Sequence, residues 1–144
     1  MRIEARDALL SALQANYAVA ALVSHFSKKL EHWNDVPKTK KPMITVVAGK
    51  SSNPNAGWQK PVYWELDFWL YVYVDTGAAD GSAQDLRDMI LDAVTAALLV
   101  QPVIGRQSLG GQVHDCRISG TIETDEGATG QHGIAWVPIT IRPL

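Results

Sequence analysis

The chain has 144 residues, of which 47% are hydrophobic and 19% charged, with a formal net charge of −2. That size suits one domain over residues 1–144 with a core of its own, and the balanced charge leaves no basic footprint for nucleic acid. A single cysteine excludes an intrachain disulfide and fits a reducing compartment; no apolar run reaches the ~18 residues that cross a bilayer, and the acidic start MRIEARDALL lacks a signal-peptide core, so no membrane partner and synthesis in the cytoplasm are expected.

Residues 3–14 are patterned as a helix, with Ile3, Leu9, Leu10 and Leu13 near one face and Arg2, Glu4, Arg6 and Asp7 elsewhere. Residues 17–26 (YAVAALVSHF) continue it after a break at Asn16 or form a second short helix. A connector over residues 28–41 then carries Lys28, Lys29, Lys38, Lys40 and Lys41 with Pro37, and reads as a solvated loop. Residues 43–48 (MITVVA) form a short strand, and 49–61, with Trp58, read as an unusually long hairpin loop.

The chain is organised around residues 62–75, VYWELDFWLYVYVD. Val62, Trp64, Leu66, Phe68, Leu70, Val72 and Val74 alternate with Tyr63, Glu65, Asp67, Trp69, Tyr71, Tyr73 and Asp75. Such period-two alternation in aromatic and β-branched residues predicts a strand with its even face buried. Fully extended it spans roughly 45 Å, more than the ~35–40 Å width of a domain this size. The strand therefore bends at a bulge or projects. Its odd face makes Tyr63, Trp69, Tyr71 and Tyr73, together with Trp58 in the loop, candidates for a subunit or partner interface. The alternative is that a second layer of the same chain covers that face.

After the turn at 75–82, Ser82 and Asp85 make a capping signal for another helix, with Leu86, Ile90, Ala93, Val94 and Ala97 on its apolar face and Arg87 outside it. Pro102 ends it near Val100. Residues 101–111 read as a Gly-punctuated link, 112–124 as an alternating strand, 125–133 as a polar turn and 134–141 as the last strand. Pro138 puts that strand at an edge or marks a bulge. The pattern predicts an α+β domain: a mostly antiparallel sheet of about four strands in two hairpins, with helices packed on one face.

Little in the chain suggests chemistry. Glu65 and Asp67 share a strand face, which would suit acid–base work but is commoner at a solvated surface. His114 and Cys116 also share a face, as a metal pair or a Cys–His dyad would, yet a small core cysteine with His114 as its neighbour is the commoner case, since only two possible ligands sit there. Walker, G-x-G-x-x-G and H-E-x-x-H motifs are absent. The expectation is no enzyme and no cofactor, with a small hydrolase or metal enzyme at His114 and Cys116, or a ligand-binding adaptor, as alternatives.

In order, R-x-x-x-R-D-A-L-L, P-M-I-T-V-V, the long aromatic strand, L-R-D-M-I-L-D-A-V, H-D-C-R-I-S-G-T-I-E-T-D-E-G and I-A-W-V-P-I-T-I resemble the tail terminator proteins of long-tailed phages. These are also called minor tail or tail-completion proteins. The resemblance covers nearly the whole chain; the basic connector departs from it. It implies a virion protein at the head-proximal end of the tail, assembled as a six-fold ring on the last ring of the tail tube. There it halts polymerisation of the major tail tube protein and faces the head connector. DNA then crosses the ring without specific binding, so acids should line the lumen. Glu123, Asp125 and Glu126 are the candidates, with the lysines of the connector outside.

Overall fold

A computed structural model describes residues 1–32, 35–53, 63–77, 80–125 and 131–144. Helix α1 (Arg2–Ala15) buries Ala5, Leu9, Leu10 and Leu13, the side expected from the pattern, while Ile3 faces solvent. Asn16 is the break. It leaves the helical conformation, and its side-chain oxygen accepts from Val19 N at 3.1 Å, capping the short α2 (Tyr17–Leu22).

The helix expected through residue 26 stops at Leu22. His25–Ser27 instead forms β1, parallel to the start of β2 (Met43–Ser52) and in register from His25↔Met43 to Ser27↔Thr45. Pairing with a sheet edge outweighs the local helical preference of this small-residue run. A single 3₁₀ turn follows at Lys38–Lys40.

Strand β3 (Glu65–Asp75) is the long strand, and Leu66, Phe68, Leu70, Val72 and Val74 are all buried as its alternation requires. Trp64, assigned to the same face, precedes the strand and is exposed. β2 extends four residues beyond the expected end at Ala48, and its register against β3 shifts between Ala48 and Ser51, so the irregularity sits in the partner strand. Trp58 and most of the expected loop lie outside the described residues.

Helix α3 (Ser82–Ala97) is preceded by Gly81 in the left-handed conformation (φ 89°), so Gly81 rather than Ser82 is its N-cap. The expected strand over residues 112–124 is two short ones, β4 (Asp115–Ile118) and β5 (Glu123–Thr124), both antiparallel to β6 (His132–Arg142). Pro138 lies in β6, between β3 and β4, so it is not in an edge strand. Its carbonyl accepts from Ser119 N at 2.9 Å, which turns its hydrogen-less nitrogen toward the gap between β4 and β5. The break in pairing falls where a donor is missing.

Among the described residues the sheet is therefore mixed and six-stranded, in the order β1-β2-β3-β6-β4 with β5 also on β6. This corrects the expectation of about four strands in two hairpins. The α+β class and the placement of helices over one face hold. Residues of α1, α2 and α3 form one apolar cluster with the inner positions of β2, β3 and β6. Close approach is local and specific: a Cβ on Gly133 would lie 2.7 Å from the Ala83 carbonyl oxygen, so glycine is what lets the first turn of α3 rest on β6.

Candidate functional site: the open face of the sheet

On the face away from the helices, the strand registers align side chains in rows. Met43, Tyr73 and Ile134 form one; Thr45, Tyr71 and Trp136 the next; Val47, Trp69 and Pro138 the third. The connector after β1 crosses this face at one end. Thr45 Oγ1 donates to the carbonyls of Ser27 (3.1 Å) and Lys29 (2.8 Å), and Tyr73 OH donates to the Glu31 carbonyl at 2.9 Å. Val36 then closes a second small core with Met43, Tyr73 and Ile134.

The chain itself thus covers the odd face at one row and leaves the others open. Tyr73 is buried by the chain itself, and that burial, with Tyr71 and Glu31 adding to it, pushes its phenol up to about 12. Tyr71 is half-buried and Trp69 is 38% exposed. Between the connector and the rows lies an open apolar groove of about 480 Å³, lined by Leu30, Glu31, His32, Tyr71, Tyr73, Ile134 and Trp136. Tyr71 and Tyr73 stack at 6.1 Å between ring centroids along one wall.

Tyr63 is not part of this group. It lies under the Arg142 guanidinium, 3.7 Å from the ring centroid, at the far end of β6. Leu30, Ile134 and Trp136 are groove residues that the reading of the long strand alone misses. For Ile134 and Trp136 the signal is the period-two pattern of β6, in which Ala135, Val137, Ile139 and Ile141 face the core.

The acids separate as well. Glu123 is exposed and accepts a hydrogen bond from Trp136 Nε1, at the rim of the groove. Asp125 is instead drawn inward: its side chain is 8% exposed and its Oδ1 sits 2.7 Å from Nη1 of Arg87, itself 7% exposed. Arg87, expected outside the apolar face of α3, is buried by this pair and also meets Asp88 at 3.0 Å. A carboxylate so engaged does not offer its charge to a lumen. Glu126 lies outside the described residues. Asp75 and Asp80 serve their own turn, accepting from Gly77 N and Ser82 N.

The connector is less solvated than its composition suggests. Lys28 pairs with Asp7 at 3.0 Å, and burial pushes the Lys41 ammonium below its usual range, with Asp75 opposing the shift.

The pair offered for chemistry, His114 and Cys116, fares differently from what a nucleophile needs. Cys116 is 1% exposed on the core side of β4, and burial pushes its thiol up to about 12, the reverse of thiolate activation. Glu65 meets Arg117 at 3.4 Å, and Asp67 accepts from Thr140 Oγ1 at 2.8 Å. Among the described residues no cluster of three or more His, Cys, Asp or Glu could hold a metal, and no helix is long and apolar enough to cross a membrane.

No protein-family profile matches the sequence, and no curated protein matches it. Solved structures do. A chain in the virion of a native gene transfer agent particle aligns over 96% of this chain and 92% of its own, at 17% identity and a TM-score of 0.54. The fold is shared with a virion component. The gp17 protein of bacteriophage SPP1 aligns over 97% of this chain and 89% of its own, at 20% identity and a TM-score of 0.42.

Proposed function

We propose that this chain is a structural tail terminator of a phage-like particle. It caps the tail tube as a ring, a hexamer, stops polymerisation of the major tail tube protein and presents a surface to the head-completion or connector protein. The observation that carries the reading is the fold it shares, over nearly its whole length, with a virion chain. The resemblance in the order of its sequence blocks narrows that to the terminator. The role is one of assembly, with neither catalysis nor cofactor, and its place is the head-proximal end of the tail, reached from the host cytoplasm.

A ring needs two different adhesive surfaces per subunit, and the uncovered rows around Trp69, Tyr71 and Trp136 suit one of them. Trp58 and Tyr63 are further candidates for tube or subunit contact. In a ring that DNA must traverse, exposed Glu123, with Glu126 near it in sequence, would repel phosphate and favour passage; the basic connector belongs outside. Deleting the gene in the producing strain and imaging the particles tests the reading. Tails of uncontrolled length and heads without joined tails are expected. Particles with normal tails of normal length would overturn it.

A further inference from the structure

A second surface stands out at the other end of the molecule. Just beyond α3, Leu99, Val100, Val103 and Ile104 are 62%, 58%, 97% and 43% exposed, four apolar side chains within six residues. Scattered exposed apolar residues are ordinary, but a contiguous group is a contact surface. This one is not a frayed end. Gln101 N donates to the Arg106 carbonyl at 3.0 Å and Gly105 N to the Gln101 carbonyl at 2.9 Å, closing the turn. Gln107 Nε2 donates to the carbonyls of Ala97 and Leu99, the Gln101 side chain accepts from Ser108, and Leu98 and Leu109 are buried at the base. The turn is a rigid apolar knob.

We infer that this knob docks in the aromatic groove of a second copy of the same chain. Within one copy the two cannot meet. The groove is built at the Ile134–Trp136 end of β6, on the open face. The knob hangs from the end of α3, on the helix face, and is tied through the Gln107–Asp115 hydrogen bond to the Arg142 end of β6. About 25 Å of strand separates those ends.

Their charges also match. From residue 95 to residue 113 the only charged side chain is Arg106, beside the knob, whereas the groove carries Glu31 in its wall, met at 3.7 Å by the exposed Lys29. A knob at one end and a groove at the other make a heterologous contact, which repeats head to tail and builds a ring when the rotation between copies closes. The inference rests on the proposed ring and names the surfaces that form it. Few residues are involved beside the ~20–30 a side of a standard interface, so the contact is weak between free subunits and is reinforced on the tube.

The test places a photo-cross-linking amino acid at position 103 of the full chain. Light and isotope-labelled protein are mixed equally, irradiated at near-millimolar concentration and mapped by mass spectrometry. Cross-links joining position 103 of one copy to Leu30, Tyr71 or Trp136 of the other isotope are expected, and Leu30→Glu, at an exposed groove position, should reduce them at least tenfold. Absence of cross-links between copies, or cross-links to another part of the surface, would overturn the inference. In the producing strain, Val103→Glu should reproduce the tail defect of the deletion, and normal tails from that variant would also overturn it. Normal tails from the deletion itself would remove the terminator reading instead, leaving a cross-link between copies in place.

Discussion

Breaking the buried ion pair between α3 and the approach to β6 should cost more stability than any surface change. Arg87 and Asp125 are 7% and 8% exposed and 2.7 Å apart, and Asp125 Oδ1 also lies 3.4 Å from Ile134 N. Replacing Arg87 with Met keeps the aliphatic bulk and removes the cation beside a buried carboxylate. Removing one partner of such a pair costs about 3–5 kcal/mol. With a urea m-value of about 2 kcal/mol/M, the midpoint should fall by roughly 1.5–2.5 M. The double variant Arg87→Met with Asp125→Leu strands no charge and should regain most of the loss, because buried pairs are often no better than apolar residues of similar size. The assay is equilibrium urea unfolding of the four proteins of this cycle. A single variant that loses under about 1 kcal/mol, or a double variant no more stable than the less stable single, would refute the assignment of a coupled buried pair.

Three further outcomes follow from neighbouring features. Gly133→Ala places a methyl 2.7 Å from the Ala83 carbonyl oxygen and should destabilise by ~1–3 kcal/mol through displacement of α3; an unchanged thermal midpoint would contradict the close approach. Cys116 keeps its proton in the folded state up to about 12, against the ordinary 9.0. Its contribution to stability is therefore full below the ordinary value and is lost as pH rises toward the folded one. Cys116→Ala should flatten that alkaline fall, with Tyr73 sustaining the remainder, and alkylation of the native thiol should proceed only as fast as unfolding; rapid native-state labelling would count against it. Charge reversal in the proposed lumen belongs at Glu123, since a lysine at 125 would confront Arg87. Glu123→Lys should still assemble tails while slowing DNA delivery, and normal infectivity would defeat the lumen assignment alone.

The parts of the fold legible in the sequence are those decided by a residue's immediate neighbours. The inner face of β3, the buried side of α1 and the break at Asn16 follow from periodicity and capping. What escaped depends on partners distant in the chain. Arg87 reads as outside the core of α3 because a charged side chain is normally solvated, and its buried partner lies 38 residues away. β1 has only three residues, with helix-like sequence before it, and exists through its parallel pairing with residues 43–45. Pro138 by itself points to an edge or a bulge, whereas it lies inside the sheet at the gap between β4 and β5, a placement fixed by Ser119 on the neighbouring segment.

The candidate site was legible in the same partial way. Alternation identified Trp69, Tyr71 and Tyr73 as one face, but it carries no information about which row the connector crosses. Tyr73, an interface candidate by alternation, is buried by the connector with its hydroxyl held by the Glu31 carbonyl; Trp69, four residues earlier on the same side, keeps 38% of its surface exposed. The covering stops where the connector's hydrogen bonds to Thr45 and Tyr73 stop, and the groove begins beside it. One long strand therefore does three things along its length. Its even side chains make the core, its last odd tyrosine anchors the connector, and the odd aromatic residues before that, Trp69 and Tyr71, keep exposed surface that the proposed ring would use. In the proposed ring a subunit first folds and then binds its neighbours, and an aromatic face covered along its whole length would leave nothing to dock.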